Sequence, residues 1–179
     1  MLRLLEWLKR LKGLKKGLDE YRGLLKANFD EIWQMNDKND FLIALDNWVC
    51  KKSNGGDEME KLSQEERTFF LVFQLEAEVN NGGFSQFFYN SSGDFANETV
   101  AALREIGAEK MAKICERALA LLGGAVPENR SARTKMLDEA VTDEVDEALS
   151  RCDDAFCEYP DNLLELNYQY IVRNRNQFT

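Results

Sequence analysis

Ser63-Gln-Glu-Glu-Arg-Thr-Phe-Phe-Leu-Val-Phe-Gln-Leu-Glu-Ala-Glu-Val-Asn-Asn-Gly-Gly-Phe-Ser-Gln-Phe-Phe-Tyr-Asn90 is the stretch that decides the fold. Ser63 with Glu66 three residues later forms a capping box, and the apolar run through Phe69, Phe70, Val72 and Phe73 predicts a helix to about Val79. Asn80-Asn-Gly-Gly83 breaks that helix, an aromatic segment follows (Phe84, Phe87, Phe88, Tyr89), and Asn90-Ser-Ser-Gly93 makes a second break. Gly82 and Gly83 permit a left-handed exit and a close backbone approach, while the neighbouring amides can bond freed backbone groups. The expectation is a compact helix-to-helix turn. The alternative is a polar pocket in which Asn80, Asn81, Gln86 and Asn90 converge on a ligand. Two glycines without a following Lys-Ser/Thr lack the phosphate-binding signature.

Outward from this stretch the same helical period recurs. The chain has 179 residues with only two prolines and almost no β-branched alternation. Helices are expected near 28–35, 39–51, 95–106, 109–122, 131–140, 142–158 and 162–174, punctuated by Gly107, Gly123-Gly124 with Pro127, and Pro160-Asp161. The length suits one core rather than two. The fold class expected is all-α, a single compact multi-helix domain with an extra N-terminal helix. Phe69, Phe73, Phe84, Phe87, Phe88, Leu103, Ile106, Ile114, Leu149, Phe156 and Tyr170 lie on apolar stripes and are the expected core.

Charge divides the chain unevenly. Residues 1–26 carry eight Lys or Arg against Glu6, Asp19 and Glu20, a charge of +5, while residues 27–179 hold 15 basic and 29 acidic residues, a charge of −14. The basic segment is read as an amphipathic helix: Leu4, Trp7, Leu11, Leu14, Leu18, Tyr21 and Leu25 alternate spacings of three and four. Gly13, Gly17 and Gly23 each weaken it by about 1 kcal/mol relative to alanine, so it needs a surface to pack on. That surface is left open: the body of the protein, a membrane, or a second copy in a homodimer.

The chain has no histidine, which excludes histidine triads, histidine–zinc sites and histidine phospho-relays. Cys50, Cys115, Cys152 and Cys157 form no CxxC pair and read as buried reduced thiols. No cofactor and no metal are expected. The N-terminus is too densely charged for a secretory signal, and no run of 18 uncharged apolar residues occurs, so a cytoplasmic location is expected.

The least generic feature is the run Asp138, Glu139, Asp143, Glu144, Asp146, Glu147, Asp153, Asp154, Glu158 and Asp161, interrupted only by Arg151. On a helix over 142–158, the apolar Val145, Ala148, Leu149, Cys152, Ala155, Phe156 and Tyr159 share one face and every acid takes the other. Seven acids less Arg151 give about one net charge per 4 Å, against one per roughly 1.7 Å of DNA duplex. A solvated helix face is the plain explanation, but this helix lacks the i,i+4 lysines that ordinarily relieve such crowding.

The string from Glu78 to Asn90, the helix pair to Leu122, Pro127 with Arg130 and Arg133 after it, and Cys152-Asp-Asp-Ala-Phe156 onward to Tyr170-Ile171 together resemble the bacterial DNA-mimic protein family. The likeness covers roughly residues 28–175. Its most specific part is the motif made by Asn80, Asn81, Gly82, Gly83, Phe84, Gln86, Phe87, Phe88 and Asn90, which marks the fold. The resemblance implies an acidic, non-enzymatic surface that occupies the DNA-binding face of a basic protein, such as a helix-turn-helix regulator, and relieves its repression. Direct nucleic-acid binding is not expected of so acidic a body. Catalysis would have to use carboxylates, amides or thiols, and acids facing solvent lack the split pKa values that acid–base work needs.

Overall fold

The computed structural model describes residues 15–179, and no strand occurs among them. Residues 15–24 form α1, of which the segment 1–14 predicted to extend it lies outside the described residues. The remaining helices are α2 (Phe29–Ile32), α3 (Lys38–Lys52), α4 (Gln64–Tyr89), α5 (Ala96–Glu105), α6 (Glu109–Leu121), α7 (Arg130–Ala140), α8 (Asp143–Cys157) and α9 (Leu163–Arg173). The helix expected over 28–35 shrinks to the single turn α2, capped by Asn28 and Glu31.

Most starts are written locally. Asp37, Ser63, Asn129, Thr142 and Asn162 each accept the N–H of the residue three further on, satisfying a donor the helix itself leaves free. At Ser63 the box is complete: the hydroxyl accepts Glu66 N–H at 3.1 Å and the Glu66 carboxylate accepts Ser63 N–H at 2.8 Å. Glu66 is also fully buried, and it accepts Lys52 Nζ at 2.8 Å and the backbone N–H of Thr179 at 3.1 Å. The cap therefore doubles as the clasp that holds the C-terminus, where Phe178 is buried beside Phe69.

α4 is the central element and packs against α3, α5, α7, α8 and α9, with α6 closing over α5 and α8. Of the expected core residues all but Phe73 are buried; Phe73 is half-buried and walls a surface cleft. α1 is held through its C-terminal end. Leu24 and Ala27 pack on the core, and the carbonyl of Leu25 accepts Asn47 Nδ2 and Lys51 Nζ, each at 2.9 Å. No helix among the described residues is long and apolar enough to cross a membrane.

Candidate partner-binding surface

The break in α4 comes first, because it sets the position of the acidic helix. Gly82 (φ −161°, ψ 26°) and Gly83 (φ 75°, ψ −177°) leave helical geometry, and α4 resumes at Phe84. Gly83 sits where only glycine is comfortable, and a Cβ there would collide with the Asp153 carboxylate. Phe84 N–H, freed by the break, donates to Asp153 Oδ1 at 2.7 Å. Phe84, Phe87 and Phe88 are buried below it, with Phe84 edge-on to Phe156 of α8 at 5.8 Å.

The sequence predicts that the motif amides bond freed backbone groups; in the structure they bond other side chains instead. Glu78 accepts Gln86 Nε2 at 2.6 Å, Asn90 Nδ2 at 2.8 Å and the Ser92 hydroxyl at 3.2 Å. Asn81 Nδ2 donates to Gln86 Oε1 at 3.0 Å. Asn80 Nδ2 donates to the Tyr159 hydroxyl at 2.5 Å, and that hydroxyl donates in turn to Glu76 at 3.0 Å. Burial pushes the Glu76 carboxyl up, with the Tyr159 bond opposing it. Asn80 lines a mostly apolar cleft of about 260 Å³ with Leu42, Ile43, Phe73 and Leu164, whereas Asn81, Gln86 and Asn90 are engaged within the turn. The four amides do not converge on one pocket.

Arg133 locks the second break. It is completely buried, and its guanidinium donates to the carbonyls of Phe88, Pro127, Glu128 and Asn90 at 2.7–2.9 Å and to Asp94 at 2.5 Å. Gly93 makes room for it: a Cβ there would lie 2.7 Å from Phe88 O and 2.9 Å from Arg133 Nε. A planar five-donor fork suits this cluster of carbonyls as lysine could not.

The ten acids of the sequence run divide by role. Asp138, Glu139, Asp143, Glu144, Asp146, Glu147, Asp154 and Glu158 are exposed on α7, α8 and the end of α8. Asp153 and Asp161 are structural instead. Asp153 caps Phe84, and burial raises its pKa against the lowering effect of that N–H. Asp161 Oδ2 accepts the N–H of Lys110 at 2.7 Å and of Met111 at 3.0 Å, capping α6, whose own first residues supply no side-chain cap. Asp138 accepts the Tyr89 hydroxyl at 2.9 Å, and Glu144 is held below its ordinary pKa by the Thr142 hydroxyl at 2.7 Å. Of the cysteines, Cys115 and Cys152 are buried, Cys50 is half-buried, and Cys157 is exposed, contrary to the expectation of four buried thiols.

The pairing of the acids is the informative contrast. On α5 and α6, Glu98 is bound by Arg67 at 2.6 Å, and Glu116 and Glu109 by Arg104 at 2.7 and 3.8 Å. Among the described residues no ion pair involves an acid of α7 or α8.

An all-helical domain with a glycine-broken central helix and an acidic face without ion pairs among the described residues is thus the class of protein that the fold defines. The chain belongs to the DMP19-like protein family, whose family model matches residues 60–174, the span from α4 to the end of α9. No curated protein and no solved structure matches the chain.

Proposed function

We propose that this protein is a non-enzymatic acidic binding protein that imitates duplex DNA and occupies the DNA-binding face of a basic transcription regulator, in particular one of helix-turn-helix type. One observation carries the reading: among the described residues the exposed acids of α8 have no cationic partner, while three of the four acids of α5 and α6 (Glu98, Glu109 and Glu116) do. Neutralised acids make an ordinary solvated surface; unneutralised ones repel each other and keep that energy available to a basic partner.

With Asp153 engaged in capping, α8 and its end present six exposed acids (Asp143, Glu144, Asp146, Glu147, Asp154, Glu158) and one base, Arg151. Over about 23 Å of helix that is one net charge per roughly 5 Å, less dense than one DNA strand at about 3.4 Å per charge. Asp138 and Glu139 on α7 add to it. The face is thus a sparse imitation, suited to a partner that reads the phosphate backbone more than base edges.

The testing experiment is competition. A basic regulator recovered from the native cell on this protein, mixed with its own operator duplex, should bind the duplex or this protein but never both. A stable ternary complex would contradict the proposal.

A further inference from the structure

The cleft of about 260 Å³ lies where α3, α4 and α9 meet, apart from the acidic face. Leu42 and Ile43 of α3, Phe73 of α4 and Leu164 of α9 form its apolar wall, and Glu76 is the one charged side chain that lines it. Phe73, Glu76 and Asn80 are spaced three and four apart and so share one face of α4, which sets both polar groups in line beside that wall.

The polar end of the cleft is short of donors. Glu76 Oε1 accepts the Tyr159 hydroxyl at 3.0 Å, and that hydroxyl accepts Asn80 Nδ2 at 2.5 Å. The relay fixes the amide, because a nitrogen that serves Tyr159 leaves its own oxygen to accept. Glu76 Oε2 and Asn80 Oδ1 have no donor among the described residues, and no ion pair there involves Glu76. Burial pushes this carboxyl above its ordinary pKa, the direction expected of an acid with no cation beside it. Tyr159 holds the relay from a strained position. It follows the C-cap of α8 with φ 47°, the left-handed region in which glycine is usual. Strain of this kind concentrates at ligand sites. A tether between α8 and α4 explains the hydrogen bonds, but not two open acceptors beside an apolar wall.

Those acceptors select the occupant. An anion is repelled by Glu76, and a neutral hydrocarbon leaves both oxygens unused. A protonated amine on an apolar arm supplies donors for the two oxygens, a positive charge for the carboxylate and carbon surface for the wall. The volume is below the roughly 300–1,000 Å³ of sites for drug-sized ligands, so the arm is short. We propose that this cleft binds a small primary ammonium compound, with Glu76 and Asn80 holding the ammonium and Leu42, Ile43, Phe73 and Leu164 the apolar arm. This is independent of the DNA-imitation reading, because it uses none of the exposed acids of α7 and α8.

The test is titration of the full chain with hexylammonium, followed by amide NMR shifts, with hexanol as a probe of the arm alone and methylammonium as a probe of the charge alone. Hexylammonium should give saturable shifts centred on Ile43, Phe73, Glu76 and Asn80, and each of the other two should bind at least about tenfold more weakly. Glu76→Gln keeps an acceptor for Tyr159 and removes the charge, so it should cut hexylammonium affinity about tenfold or more and leave that of hexanol unchanged. An unchanged or higher melting temperature shows that the variant is folded, and the comparison of three probes on the wild-type chain stands whether or not it folds. Hexylammonium shifts confined to the acids of α7 and α8, equal binding of hexanol or methylammonium, or full affinity in folded Glu76→Gln would overturn the proposal.

Discussion

Phe84 N–H donates to Asp153 Oδ1 at 2.7 Å across 69 positions of sequence, so the break in the central helix is capped by the acidic helix packed against it. The family motif and the acidic face are thus one structural unit: moving the break would move α8.

Asp153→Ala should therefore destabilise the fold by about 1–2 kcal/mol, the usual value of a lost cap, which for this length lowers Tm by roughly 2–6 °C. Asp153→Asn keeps an acceptor and removes a charge that burial disfavours, so it should retain most of the stability. Thermal melts of the two variants check this. Equal losses would mean that the charge, not the acceptor, holds the break.

Arg133 is the least replaceable polar residue. Removing it orphans four carbonyls and the Asp94 carboxylate, so Arg133→Met should cost about 3–5 kcal/mol in urea unfolding. Arg133→Lys should rescue little, because one ammonium with three donors cannot span the five acceptors.

These contacts mark the limit of what the residues reveal in order. The Ser63 box, the glycine break, the amphipathic α8 and nearly all of the aromatic core could be read directly, because caps and apolar periodicity act within a few residues. The roles of Asp153 and Asp161 could not: each caps a helix start far away in sequence, and in a list of acids they look like their exposed neighbours. Glu66 was legible as a local cap, but its pairing with Lys52 and Thr179 depends on how the C-terminus returns. Nor could the sequence say which acids would find an arginine.

Asp46 offers a pH test. Burial pushes its carboxyl up to about 6, against the lowering effect of bonds from Cys50 and Gln74. The folded state then holds a proton that the unfolded state has lost, so stability should fall as pH rises from about 4 through 6 and level off above, by roughly 2–3 kcal/mol in all. Asp46→Asn should flatten that slope, leaving the smaller contribution of the buried Glu76 and Asp153 carboxyls, and be at least as stable at neutral pH, as followed by urea unfolding across the pH range.

Asn167 is fully buried on α9, and neither its amide nitrogen nor its oxygen has a partner among the described residues. Asn167→Leu should raise stability by about 1–3 kcal/mol, by removing two unsatisfied polar atoms from the core. A lower Tm in this variant would show that the amide has a partner in solution.

The acidic face is tested most directly by reversing Asp143, Glu147, Asp154 and Glu158 to lysine and titrating the variant against the regulator captured by the wild-type protein, at low and high salt. Asp143 lies in the first turn of α8 and Glu158 at its C-cap, so the helix-dipole effects of the two reversals offset each other, and Tm should change little. The account predicts that wild-type affinity falls steeply with salt, and that the variant loses at least about tenfold at low salt with a flattened salt dependence. Wild-type affinity in the folded variant would contradict it.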